Sequence, residues 1–425
     1  MKKILAKFKK VLKNLPFYNQ AVLPYHWLSA FVAATRYDYP ARDMTVIGVT
    51  GTNGKTTTCN LIFTMLKQAG KKVGLITTVN WGSWKNVRPE TQHMTTPSPS
   101  LLNRRIRELK REGCDHLVLE VSSHALAQHR ILGVPIDAAV FTNLTHEHLD
   151  YHKTFSNYRK AKLKLFKRAK FGVVNADDPS AKYFQKTVKS YITYGIKSGE
   201  IRAKKLKLTP NYVKYDAESG GETLPIQLDI PGEFNVYNSL AAVAIGRHYN
   251  LTNQQIQQGI AALKAVAGRM NRIDEGQDFT VIVDYAHTPD AFEKVLPGLK
   301  PAHGRLIALF GMSGGERDHS LRAPIGQIAA AYADEIVLTE DDPRDEPLDK
   351  IWNDIEMGIK KSPVRPMVWR EVDRTAAIQK AFSLAKTGDT VVLLGMGAQR
   401  VIARPGGQQP WDEIATARRL LKNVK

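Results

Sequence analysis

The 425-residue sequence predicts an α/β fold of two successive units, each built around a mostly parallel sheet. Three observations predict it. Apolar runs rich in β-branched residues alternate with helical spacing between residues 44 and 170, alternating polar and apolar residues fill 191–230, and further apolar runs begin near Gly268. Strands that alternate with helices are typical of parallel sheets. We expect a leader (1–43), a central domain (44–266) and a Rossmann-like C-terminal domain (267–425).

The leader is predicted to be basic and helical. Five apolar residues share one helical stripe, surrounded by six lysines: Ile4, Leu5, Phe8, Leu12 and Leu15, with Lys2, Lys3, Lys7, Lys9, Lys10 and Lys13. An interfacial helix has this composition, so one expectation is a peripheral contact through residues 1–17 at the inner face of the membrane. The other is a surface helix packed against the central domain, with its lysines in water.

A phosphate-binding loop opens the central domain. The apolar run Met44 to Val49 is followed by Gly51-Thr52-Asn53-Gly54-Lys55-Thr56 and then by helical spacing to Gln68. Glycines let backbone amides approach an anion, and the free N–H groups of a helix start point at it. The general P-loop pattern requires glycine where this chain has Val49, but the strand–turn–helix context favours a P-loop-type ATPase domain.

The next strands of the central domain end in polar side chains. We expect a strand at 72–78, a polar loop through Trp81 and Trp84, a helix at 100–112 and a strand at 116–121 that delivers Glu120. Ligands of open parallel sheets bind outside the carboxyl ends of strands, so Glu120 should face the phosphate loop. A buried carboxylate there needs a partner, and Mg²⁺ is the natural one.

Metal-capable side chains crowd the segment 146–152, which follows the predicted strand 138–142. Zinc is one interpretation, but magnesium with a phosphate fits the preceding loop better. The helix predicted at 157–169 carries Lys160, Lys162, Lys164 and Lys167, and periodicity alone does not distinguish among them.

The remaining pattern predicts a small antiparallel subsheet and then the second unit. Alternation at 191–230 indicates the subsheet, with a turn at 218–221. Helices are expected at 235–248 and 252–266, and the strands of the C-terminal domain at 280–284, 306–310, 335–339 and 390–394.

Composition narrows the function. The net charge is +20 and the pI ≈ 9.7, yet the basic residues are spread along the chain without an aromatic-interleaved platform, so nucleic acid is not an expected partner. Cys59 and Cys114 are the only cysteines, which excludes a disulfide framework and a cysteine zinc site and favours the cytoplasm. The longest nearly apolar run, 23–34, is too short to span a bilayer. The oligomeric state is not specified.

Seven spaced motifs lie between residues 44 and 400: GTNGKT (51–56), EVSSHAL (120–126), HLDYH (148–152), GEFNVYN (232–238), GRM (268–270), DYAHTP (284–289) and GGERD (314–318). Together and in this order they resemble those of the Mur ligases, ATP-dependent enzymes that add amino acids to peptidoglycan precursors. The resemblance is closest to the members that add the third residue of the stem peptide.

The resemblance implies roles for the matched residues. Lys55, Glu120, His148, Lys162 and Asp284 would be catalytic, with Lys162 carbamoylated by CO2 to become an anionic ligand. Mg²⁺ would be held by Thr56, Glu120, His148 and Lys162. ATP would be held by Gly51, Thr52, Asn53, Gly54, Lys55, Thr56, Thr57, Asn235, Asn238, Arg269 and Asp284. The substrates would contact Thr95, Thr96, Ser122, Gln128, Arg130, His287, Arg317, Asp341, Asp342 and Arg344.

The implied reaction fits the residues. A carboxylate is a poor electrophile, so ATP first converts it to an acyl phosphate, which an amine then attacks. Two other interpretations stay open: a folylpolyglutamate-synthase-like ligase on a non-UDP acceptor, and a non-catalytic ATP-binding protein. Intact Lys55, Glu120, His148 and Asp284 count against the last.

Several positions depart from the family pattern. Asn271 and Glu147 replace the usual glutamate and aspartate, and Asp342 replaces the asparagine of an Asp-Asn-Pro-Arg motif. Residues 395–399 read GMGAQ in place of Gly-Lys-Gly-His-Glu. Arg344 still suggests a substrate with a distal carboxylate, with diaminopimelate as the leading candidate. Since 43 residues are too few for the family's UDP-binding domain, we expect a small-molecule or lipid-linked cell-wall precursor as acceptor.

Overall fold

The computed structural model describes residues 22–92, 94–209, 211–315 and 318–423. The predicted membrane contact through residues 1–17 lies outside them, as does Arg317. No helix in the described ranges is long and apolar enough to cross a membrane.

The first part of the chain folds around one large sheet. Its elements are α1 (Leu23–Arg36), β1 (Thr45–Thr50), α2 (Lys55–Gln68), β2 (Val73–Ile76), β3 (Asn80–Ser83), β4 (Val87–Pro89), α3 (Pro99–Arg111), β5 (His116–Glu120), α4 (Ser123–Ala127), β6 (Ile136–Phe141), α5 (Leu149–His152), α6 (Phe155–Phe166), β7 (Ala169–Asn175), α7 (Ala181–Gln185), β8 (Tyr191–Gly195), β9 (Ile201–Leu208), β10 (Val213–Ser219), β11 (Glu222–Leu228), α8 (Glu233–His248) and α9 (Asn253–Ala261).

This sheet has eleven strands in the order β11-β10-β9-β8-β7-β6-β1-β5-β2-β3-β4. The strands from β2 to β9 in that order pair in parallel, with β1 between β5 and β6. β10 and β11 extend one edge antiparallel to β9, and they are continuous with the main sheet. They form part of the antiparallel subsheet predicted at 191–230, but β8 pairs in parallel with β7 and β9, so the prediction was wrong for that strand. At the other edge β3 and β4 form an antiparallel hairpin where we predicted a polar loop through Trp81 and Trp84, so that prediction was wrong.

The second part of the chain forms a six-stranded sheet and a small hairpin. Its elements are β12 (Asn271–Ile273), β13 (Thr280–Asp284), α10 (Pro289–Leu299), β14 (Leu306–Phe310), a 3-10 turn (His319–Leu321), α11 (Arg322–Tyr332), β15 (Glu335–Leu338), α12 (Leu348–Ile359), β16 (Met367–Arg370), α13 (Arg374–Leu384), β17 (Thr390–Leu394), β18 (Val401–Arg404), β19 (Gly407–Pro410) and α14 (Glu413–Leu421). The sheet order is β12-β13-β17-β14-β15-β16, parallel except for β12.

Burial explains why these segments take these forms. β1, β5, β14 and β17 are buried almost throughout, as strands covered by helices on both faces must be. α8 is apolar on nearly every side between Leu240 and Ile245 and packs against α2. The predicted α/β class with two parallel sheets is confirmed.

Candidate active site

A cleft of about 1090 Å³ is lined by residues of both sheets. The carboxyl ends of β1, β5 and β6 supply one wall, and the segments after β13, β14, β15 and β17 supply the other. This is where ligands of open parallel sheets bind. Most predicted nucleotide residues line it: Thr52, Asn53, Gly54, Lys55, Thr56, Thr57, Asn235, Asn238, Arg269 and Asp284.

The phosphate loop joins β1 to α2 and depends on one left-handed glycine. Gly54 has φ 82°, and a Cβ built on it would lie 2.3 Å from Asn238 Oδ1. The loop is also held by the segment after β6. The Asn53 N–H donates to Asn143 Oδ1 at 2.9 Å, and Thr142 Oγ1 donates to the Asn53 carbonyl at 2.7 Å. The result is a fixed ring of backbone at the start of a helix, suited to an anion.

Lys55 and Thr56 open α2. The Lys55 ammonium donates to the carbonyl of Thr52 at 2.6 Å, so its charge lies over the loop. Thr56 Oγ1 lies 3.1 Å and 3.0 Å from the two carboxylate oxygens of Glu120, which is 1% exposed. The Thr78 N–H donates to the same carboxylate at 2.8 Å. A hydroxyl and a buried carboxylate side by side form an oxygen donor set that fits Mg²⁺.

His148 also lines the cleft, at a residue with φ 57°. Its Nε2 is 3.4 Å from Glu147 Oε1, and that oxygen is 3.3 Å from His287 Nε2. Burial lowers the pKa of His148, which favours the neutral imidazole that a metal requires. Glu147 therefore joins a predicted metal residue of the central domain to a predicted substrate residue of the C-terminal domain.

Lys162 is buried beneath the loop and does not line the cleft. Its Nζ donates to the Gly51 carbonyl at 2.6 Å and lies 4.6 Å from the centre of the Tyr158 ring. Burial, and then the charge of Lys55, lower the pKa of Lys162 well below its usual range. Gly51 also stays behind the lining of the cleft.

Four of the five predicted acceptor residues form one hydrogen-bonded network: Thr96, Ser122, Gln128 and Arg130. Thr96 Oγ1 accepts from the Ser122 N–H at 3.0 Å and donates to the Glu120 carbonyl at 2.9 Å. Arg130 donates to the Thr96 carbonyl at 2.8 Å and grips Gln128 Oε1 through two nitrogens. Thr95 lines the cleft, whereas the other four lie outside its lining.

On the second wall, Asp284 is buried at the end of β13. Its carboxylate accepts from the Met270 N–H at 2.7 Å and the Ala286 N–H at 2.8 Å, and burial raises its pKa. Arg269 reaches back to Thr56 Oγ1 at 3.4 Å. Asp284 thus holds the turn that carries Arg269 into the cleft.

His287, Asp341 and Asp342 line the same wall. Burial raises the pKa of Asp341 to about 7, and Asp342 Oδ1 accepts from the Ala403 N–H at 2.7 Å. Arg344 does not line the cleft; its backbone N–H donates to the Ala403 carbonyl at 2.9 Å. The structure therefore brings together three of the five residues predicted for this wall.

Sequence reasoning missed two residues that shape the cleft. Asn143 follows β6 and holds the phosphate loop, while Asp290 at the start of α10 accepts from Asn53 Nδ2 at 2.7 Å. The position of Asn143 directly after a predicted strand was a usable signal. No sequence signal pointed to Asp290, because its hydrogen-bond partner Asn53 is 237 residues away.

Comparison with known proteins decides the family. Residues 49–246 match the model of the Mur ligase middle domain and 268–397 that of the Mur ligase glutamate ligase domain. A UDP-N-acetylmuramyl-tripeptide synthetase of Treponema denticola is 38% identical over 418 residues, covering 92% of this chain and 78% of the relative. The chain belongs to the Mur ligase family. It is accordingly an ATP-dependent acid–amino-acid ligase, as its motifs predicted.

Two solved structures are similar to this Mur ligase over most of its length. One, of a UDP-N-acetylmuramoyl-L-alanyl-D-glutamate–2,6-diaminopimelate ligase, is 30% identical with a TM-score of 0.62, covering 90% of this chain and 79% of that one. The other, Mycobacterium tuberculosis folylpolyglutamate synthase complexed with ADP and AMPPCP, has a TM-score of 0.70 at 17% identity, covering 87% and 92%. The second likeness shows a common fold only.

The segment 146–152 of this Mur ligase does not resemble a zinc site. In the ranges that the structure describes, no group of three or more His, Cys, Asp or Glu side chains is arranged to hold a metal ion. The oxygen donors that do lie together are Thr56 and Glu120.

Proposed function

We propose that this Mur ligase joins the amine of an amino acid to a peptide carboxylate of a peptidoglycan precursor. The observation that carries the proposal is one continuous cleft, which holds the phosphate loop, Glu120 and the Asp341–Asp342 segment. The acceptor carboxylate takes the terminal phosphoryl group of ATP and releases ADP. The amine attacks the resulting acyl phosphate, the C–O bond to phosphate breaks, and the amine proton leaves with solvent or a base.

The phosphate loop and its neighbours are proposed to hold ATP. The backbone from Gly51 to Thr57 would surround the phosphates, with Lys55 leaving the Thr52 carbonyl to pair with them. Asn235 and Asn238, joined by a 2.9 Å hydrogen bond, would hold the nucleotide from α8. Arg269 would approach from the C-terminal domain.

Thr56 and Glu120 are proposed to hold Mg²⁺, since they offer oxygen donors on the cleft surface. The ion would neutralise negative charge on the phosphoryl group during its transfer. His148 would take a second ion through its neutral imidazole. Lys162 would support it as a carbamate; burial lowers the pKa of its amine, which favours the neutral form that reacts with CO2.

The acceptor is proposed to lie over the network of Thr95, Thr96, Ser122, Gln128 and Arg130. Arg130 is the cation of that group, and cations of this kind recognise anionic acceptors. We propose that the acceptor is a cell-wall precursor, free or lipid-linked. The enzyme would act in the cytoplasm, with residues 1–17 offering a peripheral membrane contact.

For the amino acid we propose diaminopimelate. Asp341 and Asp342 line the cleft and would face its amine groups. Arg344, two residues further on and behind that lining, would pair with its distal carboxylate. Turnover with diaminopimelate, lysine and glutamate distinguishes the candidates. A clear preference for lysine would overturn this choice, because lysine has no distal carboxylate. Turnover with glutamate on a folate-type acceptor would favour the folylpolyglutamate alternative.

The ligase assignment is tested by phosphate release and product formation with Lys55→Ala. Without the charge at the phosphates, ligation should fall by roughly a hundredfold or more, while the unfolding temperature stays near that of the parent. Lys67→Ala, at the other end of α2, is the matched control and should keep full activity. Near-complete ligation by Lys55→Ala would contradict the proposed phosphate site.

A further inference from the structure

Helix α1 carries its large apolar side chains on the outside. The residues buried beneath it are alanines, Ala30, Ala33 and Ala34. Its exposed side chains are 41% to 69% accessible and cover one broad face: Tyr25, Trp27, Leu28, Phe31 and Val32. We name these five residues the α1 face. Soluble helices normally show the opposite pattern, with large apolar residues against the core.

The α1 face has the composition of a membrane-interface helix. Trp27 and Phe31 stack with ring centroids 5.3 Å apart, and Tyr25 adds a third exposed aromatic ring. Aromatic residues with a polar atom favour the boundary between water and lipid. An exposed aromatic patch of this kind marks an interaction site.

The sequence that leads into helix α1 is basic. Residues 1–37 contain six lysines and Arg36, and the first acidic residue of the chain is Asp38. Helix α3, which packs against α1, adds exposed Arg104, Arg107 and Arg111. A second copy of this cationic surface would repel the first, whereas an anionic lipid surface would attract it.

We propose that the α1 face docks this enzyme on an anionic lipid membrane. The aromatic and aliphatic side chains enter the headgroup region, and the lysines and arginines pair with lipid phosphates. The contact is reversible and weakens as salt screens the charges.

Docking at this face has a consequence for the substrate. Ala34, on the same helix, packs against Gly133, where a built Cβ would lie 3.0 Å from the Ala34 Cβ. Gly133 is three residues from Arg130, so helix α1 packs beside the segment that carries this cation of the network proposed to hold the acceptor. A docked enzyme would present that network near the lipid surface, where a lipid-linked acceptor is found.

The test is flotation of the full chain with vesicles of mixed phosphatidylglycerol and phosphatidylcholine, and of phosphatidylcholine alone. The double variant Leu28→Glu/Phe31→Glu removes apolar surface and adds two charges on the α1 face. Met357→Glu/Val372→Glu makes the same change at two exposed apolar residues of the C-terminal domain. We expect the parent and this control to float with anionic vesicles, and Leu28→Glu/Phe31→Glu to partition about tenfold or more weakly.

Each result decides for or against the proposal. Ligation of a soluble acceptor at the parental rate by Leu28→Glu/Phe31→Glu shows that this variant is folded. Equal flotation of both variants, or flotation that ignores anionic lipid, overturns the proposal. Two further measurements address other occupants. If the parent is a dimer and Leu28→Glu/Phe31→Glu alone is a monomer, the α1 face binds a second copy of the chain. If deletion of residues 1–17 strengthens membrane binding, the α1 face is covered by that segment.

Discussion

At the scale of single residues, Gly54 couples backbone geometry to the nucleotide site. Its φ of 82° and its approach to Asn238 Oδ1 both exclude a side chain. Gly70, at the other end of α2, has φ 81° but nothing within 4 Å of a built Cβ. An alanine at Gly70 would therefore show only the energetic cost of the left-handed backbone. An alanine at Gly54 would add the cost of the close contact with Asn238.

We predict that Gly54→Ala raises the KM for ATP about tenfold or more, because the new methyl group must displace Asn238 or the loop. Gly70→Ala should lose about 1 kcal/mol of stability, the cost of a left-handed alanine, with unchanged kinetics. Steady-state kinetics and chemical denaturation measure both. Equal kinetic effects of the two substitutions would contradict the role of the contact.

Asp341 gives a pH-dependent prediction. Burial raises its folded pKa to about 7, above the usual value of 3.8. The neighbouring Asp342 raises the pKa further, whereas Arg374 lowers it. The folded state therefore binds a proton more tightly than the unfolded state, so this residue costs stability progressively as pH rises from about 4 to 7. Asp341→Asn should melt higher than the parent at pH 8 and alike at pH 4. Thermal unfolding across this range checks it, and an unchanged difference would contradict the shift.

The sequence singled out candidate site residues where a motif named them and not otherwise. Lys162 is one of four lysines on a helix, and only the family resemblance selected it; the structure then shows it buried on the Gly51 carbonyl. The sequence shows that Glu147 departs from the family's usual aspartate. Its contacts with His148 and His287 are seen only in the folded structure, because His287 lies in the second half of the chain.

At the scale of elements, the sequence predicted the buried strands and missed the short exposed ones. The four predicted strands of the C-terminal sheet are buried apolar runs, which give a clear signal. β19 reads GQQP and is exposed throughout, and β16 is a half-exposed edge strand. The predicted helix at 252–266 ends at Ala261, so the prediction was wrong for residues 262–266.

One buried ion pair joins the elements behind the second wall of the cleft. Arg374 at the start of α13 and Glu413 at the start of α14 are both fully buried and pair at 2.7 Å. The same guanidinium donates to the carbonyls of Glu340 and Leu394, which follow β15 and end β17. It therefore fixes two helix starts to two strand ends beside Asp341.

We predict that Glu413→Gln lowers the free energy of unfolding by about 3–5 kcal/mol, since it leaves the Arg374 charge buried without its partner. Lys264→Ala, which breaks the exposed pair with Asp229, should change it by less than about 1 kcal/mol. Urea denaturation of the full chain measures both. A loss for Glu413→Gln no larger than that for Lys264→Ala would show that Arg374 is satisfied by the two carbonyls alone.

At the scale of the whole molecule, function depends on contacts between two sheets that are far apart in sequence. Asn53 donates to Asp290 across the cleft, and Arg269 reaches Thr56. No pattern within either half of the chain predicts such pairs, because periodicity reports only local structure. Enzymes that bring three substrates together commonly close around them, and these contacts lie where closure would occur.

The last prediction concerns Asp290, which accepts from Asn53 Nδ2 at 2.7 Å and also pairs with Lys294 on its own helix. Asp290→Ala removes the hydrogen bond between the domains, whereas Asp290→Asn keeps an acceptor for Asn53. Lys294→Ala removes only the pair within α10. Loss of one hydrogen bond to a charged group is worth roughly 1.5–3 kcal/mol, so kcat/KM for ATP should fall about tenfold or more in Asp290→Ala. Asp290→Asn and Lys294→Ala should stay within a few fold of the parent, with all three unfolding at similar urea concentrations. If Lys294→Ala were as impaired as Asp290→Ala, the effect would belong to helix α10 itself, and the contact between the domains would have no part in turnover.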